Sequence, residues 1–173
     1  MELQTERLTI RPLEKEDAEA FSMIRNQEFV MKYNVLEKIT KEDAEEIIEN
    51  CKKELTAWGI FYKDNADLIG VIFNDHDSLR YRTGTRGISY WLSEEYSGKG
   101  LMPEALKAFM NKLFEDGYVG ITIRVFEDNE RSMILAKKLG FVEEGRLQNA
   151  VKGSFGEIHN DVLFYMSKEN FVK

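Results

Sequence analysis

The segment Tyr96-Ser97-Gly98-Lys99-Gly100-Leu101-Met102-Pro103-Glu104-Ala105 has the residue types and spacing to capture a phosphate. It joins an apolar run, Ile88 to Leu92, to a run with helical periodicity, Ala105 to Phe114. A glycine turn between strand and helix leaves backbone N–H groups free at the positive end of the helix dipole, where they bind anions. Gly98 and Gly100 remove the side chains that would hold a diphosphate off the backbone. Two further segments follow in order: Asn129-Glu130-Arg131-Ser132 and Lys137-Lys138-Leu139-Gly140-Phe141. A glycine turn alone is common, and the later segments narrow its meaning.

Two nucleotide readings fail on residue types. A P-loop needs Ser or Thr after Gly-Lys to hold magnesium, but Lys99 is followed by Gly100 and Leu101. A dinucleotide fingerprint needs three spaced glycines after the first strand and an acid after the next. Here there are two glycines, after the fourth strand. Coenzyme A is the diphosphate cofactor that remains.

The elements that must position this turn can be read from periodicity. Leu3, Leu8, Ile10 and Leu13 form an extended opening, and Arg11-Pro12 favours strand over helix. A helix is expected over Glu16 to Gln27. Thr40 and Asp43 form a short-armed capping box for a second helix, to about Leu55. Ala57 to Tyr62 and Leu68 to Asn74 flank a polar turn and read as a hairpin. Gly87 to Leu92 is the fourth strand. Pro103 suits the first turn of the next helix, whose apolar face is Met102, Ala105, Leu106, Phe109, Met110 and Leu113. Ile121, Ile123 and Val125 alternate as a fifth strand. A helix from Glu130 to Leu139 ends at Gly140, and strands from Phe141 and over Ile158 to Met166 close the chain. The expected fold is α/β (α+β): a mixed, mostly antiparallel sheet of about six to seven strands with helices on both faces. No linker or repeat divides residues 1–173, so a single domain is expected.

Composition sets outer limits. With 173 residues, of which 43% are hydrophobic and 12% aromatic, the chain can build a core. A net charge of −7 argues against nucleic acid as partner and mildly favours a cationic one. Cys51 is the lone cysteine, set at helical spacing among apolar residues, so it reads as a buried thiol in a reducing compartment. No segment looks like a leader or a membrane span, so a cytoplasmic protein with no membrane partner is expected. Asp75-His76-Asp77 reads as a charged hairpin end, and no metal is expected.

Taken in order, these segments resemble the GNAT superfamily of N-acetyltransferases. The resembling residues are Trp91-Leu92, Tyr96 to Gly100, Glu104-Ala105, Asn129 to Ser132 and Lys138 to Phe141. The opening Thr5-Glu6-Arg7-Leu8-Thr9-Ile10-Arg11-Pro12-Leu13 is similar to the branch of ribosomal-protein N-terminal acetyltransferases. The resemblance implies a GNAT-like domain splayed between the fourth and fifth strands, with acetyl-CoA as co-substrate. Backbone amides of Tyr96, Ser97, Gly98, Lys99, Gly100, Leu101 and Met102 would hold the pyrophosphate. The strand carrying Trp91 and Leu92 would pair with pantetheine. Asn129 would contact that arm, or cap its helix, and Ser132 would protonate the departing thiolate. The backbone N–H of Leu92, or a neighbour, would polarise the thioester carbonyl.

The general base is where this sequence departs from the family. Many relatives carry Glu at the position of Gly87, and some carry one where Val151 stands. Glu157, His159 and Asp161 are substitutes, as is a water chain, and Tyr165 is a reserve proton donor. The expected activity is direct attack by a primary amine, from a peptide N-terminus or a small molecule, in a ternary complex. The alternative is an acyl-CoA-binding regulatory domain with weak or no turnover; magnesium-dependent ATP chemistry ranks last. Nothing in the sequence encodes the acceptor or the oligomeric state, and a homodimer stays open.

Overall fold

The computed structural model describes residues 2–171. One eight-stranded sheet runs through it in the order β1-β2-β3-β4-β5-β6-β8-β7. Its strands are β1 (Leu3–Gln4), β2 (Leu8–Pro12), β3 (Ala57–Tyr62), β4 (Leu68–His76), β5 (Thr85–Leu92), β6 (Gly120–Phe126), β7 (Val142–Lys152) and β8 (Ile158–Ser167). Every ladder is antiparallel except β5–β6. The strand count exceeds the expected six to seven because the extended opening is two strands. The Thr5 hydroxyl accepts from Leu8 N–H at 2.9 Å and closes a tight turn between them.

The helices are α1 (Ala18–Arg25), α2 (Glu28–Met31), α3 (Lys41–Lys52), α4 (Leu101–Glu115), α5 (Glu130–Lys138) and α6 (Lys168–Phe171). The capping box at Thr40 and Asp43 forms as expected, with the Thr40 hydroxyl accepting from Asp43 N–H at 3.1 Å. The segment after α1 contains the one-turn helix α2, which buries Val30 and Met31. Its four residues show no amphipathic period, so packing rather than pattern makes it helical.

Strand alternation feeds two cores. Trp58 and Ile60 join the α4 and α5 face, while Ala57 and Phe61 join the α1 and α3 face. Met102, Ala105, Leu106, Phe109, Met110 and Leu113 are all buried on α4, as their spacing required. Cys51 is half-buried and packs against the second core. No helix among the described residues is long and apolar enough to cross a membrane.

Candidate active site

The sheet is interrupted where it matters. β5 and β6 pair only through Thr85–Gly120, Arg86–Ile121 and Gly87–Thr122. Beyond that point both strands continue, each held only by its outer neighbour, β4 or β8. Ser93 N–H donates to the Ile69 carbonyl at 2.7 Å, which makes Leu92–Gly70 a non-hydrogen-bonded pair of the β4–β5 ladder. By the two-residue period, the backbone groups of Tyr90 and Leu92 therefore face away from β4, toward β6. The unpaired edge of a central strand is exposed there.

A cavity of about 1280 Å³ occupies this opening. β5 contributes Ser89 to Leu92, β6 contributes Ile123 to Phe126, and the start of α5 contributes Asn129 to Ser132. The glycine turn lines it with Ser97, Gly98, Gly100, Leu101 and Met102. The fourth wall is α2 and the residues after it: Phe29, Val30, Tyr33 and Val35.

The turn is built as its glycines foretell. Gly98 and Gly100 lie in the left-handed region, at φ 76° and 75°. A side chain at Gly98 would meet no protein atom within 4 Å, so the space above it is open to a ligand. Arg7 braces the turn from behind: its guanidinium donates to the carbonyls of Lys99 (3.0 Å) and Gly100 (3.3 Å). Glu104 accepts from Arg7 N–H at 2.9 Å, from Arg7 Nε at 2.8 Å and from the Thr5 hydroxyl at 2.5 Å. Burial pushes the Glu104 carboxyl up, but the bonds from Thr5 and Arg7 together hold it below the ordinary carboxylate value.

Most of the named residues line the cavity, and two do not. Tyr96 turns outward, packs on Tyr62 with ring centroids 5.6 Å apart and accepts from Asn65 at 3.0 Å. The Lys99 ammonium sits over the Tyr96 ring. These side chains clamp the turn to the β3–β4 hairpin, leaving only their backbone for a ligand. The Trp91 indole packs near Phe21 (5.4 Å) and Phe73 (6.0 Å) in the second core. Asn129 caps α5, its Oδ1 accepting from Ser132 N–H at 3.2 Å, and also lines the cavity.

Ser132 has a partner that sequence reading missed. Its Oγ lies 2.7 Å from the Tyr90 hydroxyl. Burial drives the Tyr90 phenol up to about 12, against a smaller pull downward from Ser132. The reserve groups lie elsewhere. Tyr165 sits against Gly120 beneath the Arg80 guanidinium, at the paired end of β6. Arg124 takes Asp161 Oδ2 through Nε (2.8 Å) and Nη2 (2.5 Å). His159 stacks on Phe126 and bonds Asp128 at 3.1 Å. Glu157, His159, Asp161 and Tyr165 are not among the cavity walls. The acids that do line it are Glu94, Asp128 and Glu130, interleaved with Lys32, Arg124, Arg131 and Lys138. No group of three or more His, Cys, Asp or Glu able to hold a metal occurs among the described residues.

This geometry has counterparts in known proteins. The model for the acetyltransferase (GNAT) domain matches residues 7–142. The uncharacterized N-acetyltransferase YoaA of Bacillus subtilis is 31% identical over 153 residues, covering 84% of this chain and 85% of that one. The ribosomal-protein-serine acetyltransferase of Escherichia coli is 34% identical over 108 residues, covering 61% and 56%. Among solved structures, RimL, a ribosomal-protein α-N-acetyltransferase in complex with coenzyme A, superposes with a TM-score of 0.84. It is 19% identical, with 96% of this chain and 98% of that chain covered. The left-handed glycine turn, the interrupted β5–β6 ladder and the α5 cap thus sit within a matched domain, and the chain belongs to the GNAT acetyltransferase family.

Proposed function

We propose that this acetyltransferase moves the acetyl group of acetyl-CoA to a primary amine by direct attack in a ternary complex. The observation that carries the reading is the unpaired edge of β5 beside the glycine turn. A pantetheine arm can add to that edge as a strand would, accepting and donating at Tyr90 and Leu92. The backbone from Ser97 to Met102 would take the pyrophosphate, at the N-terminus of α4. RimL, which shares this fold, was solved in complex with coenzyme A.

The chemistry needs a polarised carbonyl, a protonated leaving sulfur and a neutral amine. Leu92 N–H, directed into the gap, is the donor for the carbonyl oxygen. Ser132 is the donor for sulfur, oriented by Asn129. The half-buried Cys51 lies on α3 against the second core, so an acyl-cysteine route has no support. Relatives named as ribosomal-protein acetyltransferases favour a peptide N-terminus as acceptor. Release of coenzyme A thiol, followed across peptides and small amines, tests the reading. Acceleration by at least one amine is expected; tight acetyl-CoA binding with no release for any amine would replace it with a regulatory acyl-CoA-binding role.

A further inference from the structure

We infer that the hydroxyls of Tyr90 and Ser132 form a two-membered relay that carries the attacking amine's proton to the departing sulfur. The inference rests on the acetyl-transfer reading above. Tyr90 comes from β5 and Ser132 from α5, so the pair spans the gap between the unpaired strand edge and the helix beyond it. Their oxygens are 2.7 Å apart and both residues line the cavity. Asn129 holds Ser132 through its backbone N–H, which leaves the Ser132 hydroxyl free to bond on both sides.

The step balances without an added acid or base. The amine nitrogen bonds the carbonyl carbon and the carbon–sulfur bond breaks. The amine's proton goes to Tyr90 Oη, the Tyr90 proton to Ser132 Oγ, and the Ser132 proton to sulfur. Both hydroxyls end as they began, with their hydrogen-bond direction reversed. The relay takes up the proton that a neutral amine sheds on attack, at a site with glycine at position 87 and valine at 151, where the family resemblance implies carboxylates. Of the acids in the cavity walls, Asp128 bonds His159, and among the described residues Glu94 and Glu130 bond neither relay hydroxyl. With its phenol raised to about 12, Tyr90 stays protonated through the neutral range, so transfer is concerted rather than through a standing phenolate.

A purely structural bond between β5 and α5 would show the same distance, so the test must count protons. Single-turnover acetyl transfer, with acetyl-CoA bound and amine in excess, is measured in mixtures of light and heavy water. In the parent the rate should fall along a bowed line, as for three protons in flight. In Tyr90→Phe the line should be straight and the rate lower by roughly 10²-fold, with the acetyl-CoA Kd unchanged. A straight line in the parent, or a Tyr90→Phe rate equal to the parent's, overturns the relay. A slower Tyr90→Phe that keeps the bowed line reduces the pair to a structural stitch, which also overturns it. If Tyr90→Phe does not fold, the parent's line alone decides. A parent that binds acetyl-CoA but acetylates no amine defeats the acetyl-transfer reading itself, an outcome separate from a straight line.

Discussion

Arg7 and Glu104, 97 residues apart in the sequence, are joined, with Arg7 Nη2 2.7 Å from Glu104 Oε2. The same guanidinium bonds the carbonyls of Lys99 and Gly100. A peptide unit whose carbonyl is held on one side presents its N–H to the other. The ion pair therefore orients the turn toward the cavity without touching what binds there.

Arg7→Ala should weaken acetyl-CoA binding while leaving kcat near the parent value. Loss of a charged donor to two carbonyls costs about 1.5–3 kcal/mol, and the partial exposure of Arg7 places the effect toward the lower end. Titration of acetyl-CoA by calorimetry, paired with saturating kinetics, checks the split. A fall in kcat at unchanged Kd would contradict it.

The Glu104 carboxyl also sets an acid limit. Because its pKa is lowered on folding, it adds stability that is complete above the ordinary carboxylate pKa of about 4 and is lost as pH falls through the folded value. Glu104→Gln should be less stable at neutral pH and lose less on acidification. Thermal midpoints from neutral pH down to about pH 3 would show two converging curves.

Gly98→Val and Gly100→Val should fold with modest loss but fail to respond to ligand. In the parent, acetyl-CoA at a hundred times its Kd should raise stability by about 2.7 kcal/mol. Both positions are left-handed, and a branched side chain resists that conformation. At Gly98 the added atoms also enter the open space in which we propose the diphosphate sits. Folded variants with parental affinity would mean the turn does not hold the cofactor.

Ser132→Ala should lower kcat by roughly 10²–10⁴-fold, the range for a positioned proton donor, with little change in acetyl-CoA affinity. Parental turnover would move the proton's source to water, since Tyr165 lies at the far end of β6. Lower affinity with unchanged kcat would instead make Ser132 a cofactor ligand.

Tyr90 predicts an alkaline counterpart. Its phenol is raised on folding, so its contribution is complete below the ordinary pKa of about 10 and is lost as pH climbs to about 12. Phenolate absorbance should show a late-titrating component, and Tyr90→Phe should reduce it.

How much of this was legible in the sequence depended on range. The apolar face of α4, the capping box at Thr40 and the glycine turn are encoded within a few residues, and their spacing named them. The site's partners are not local. Tyr90 and Ser132 are 42 residues apart, and Arg7 and Glu104 are 97 apart. No periodicity links such pairs; sheet order brings them together. Tyr96 and Lys99 illustrate the converse: the motif placed them in the turn, but only the neighbouring hairpin decides that their side chains face outward. The wall formed by α2 was unreadable because a single helical turn carries no pattern of its own.

The ladder that stops at Gly87 gives β5 two unlike edges, and amide exchange should register them as a stripe. Ser89 and Trp91 turn their backbone toward β4 and should exchange slowly. Tyr90 and Leu92, one residue out of phase and past the last β5–β6 pair, should exchange fast in the free protein. Ligand would erase the stripe, so the strand itself would report occupancy residue by residue, with no label added.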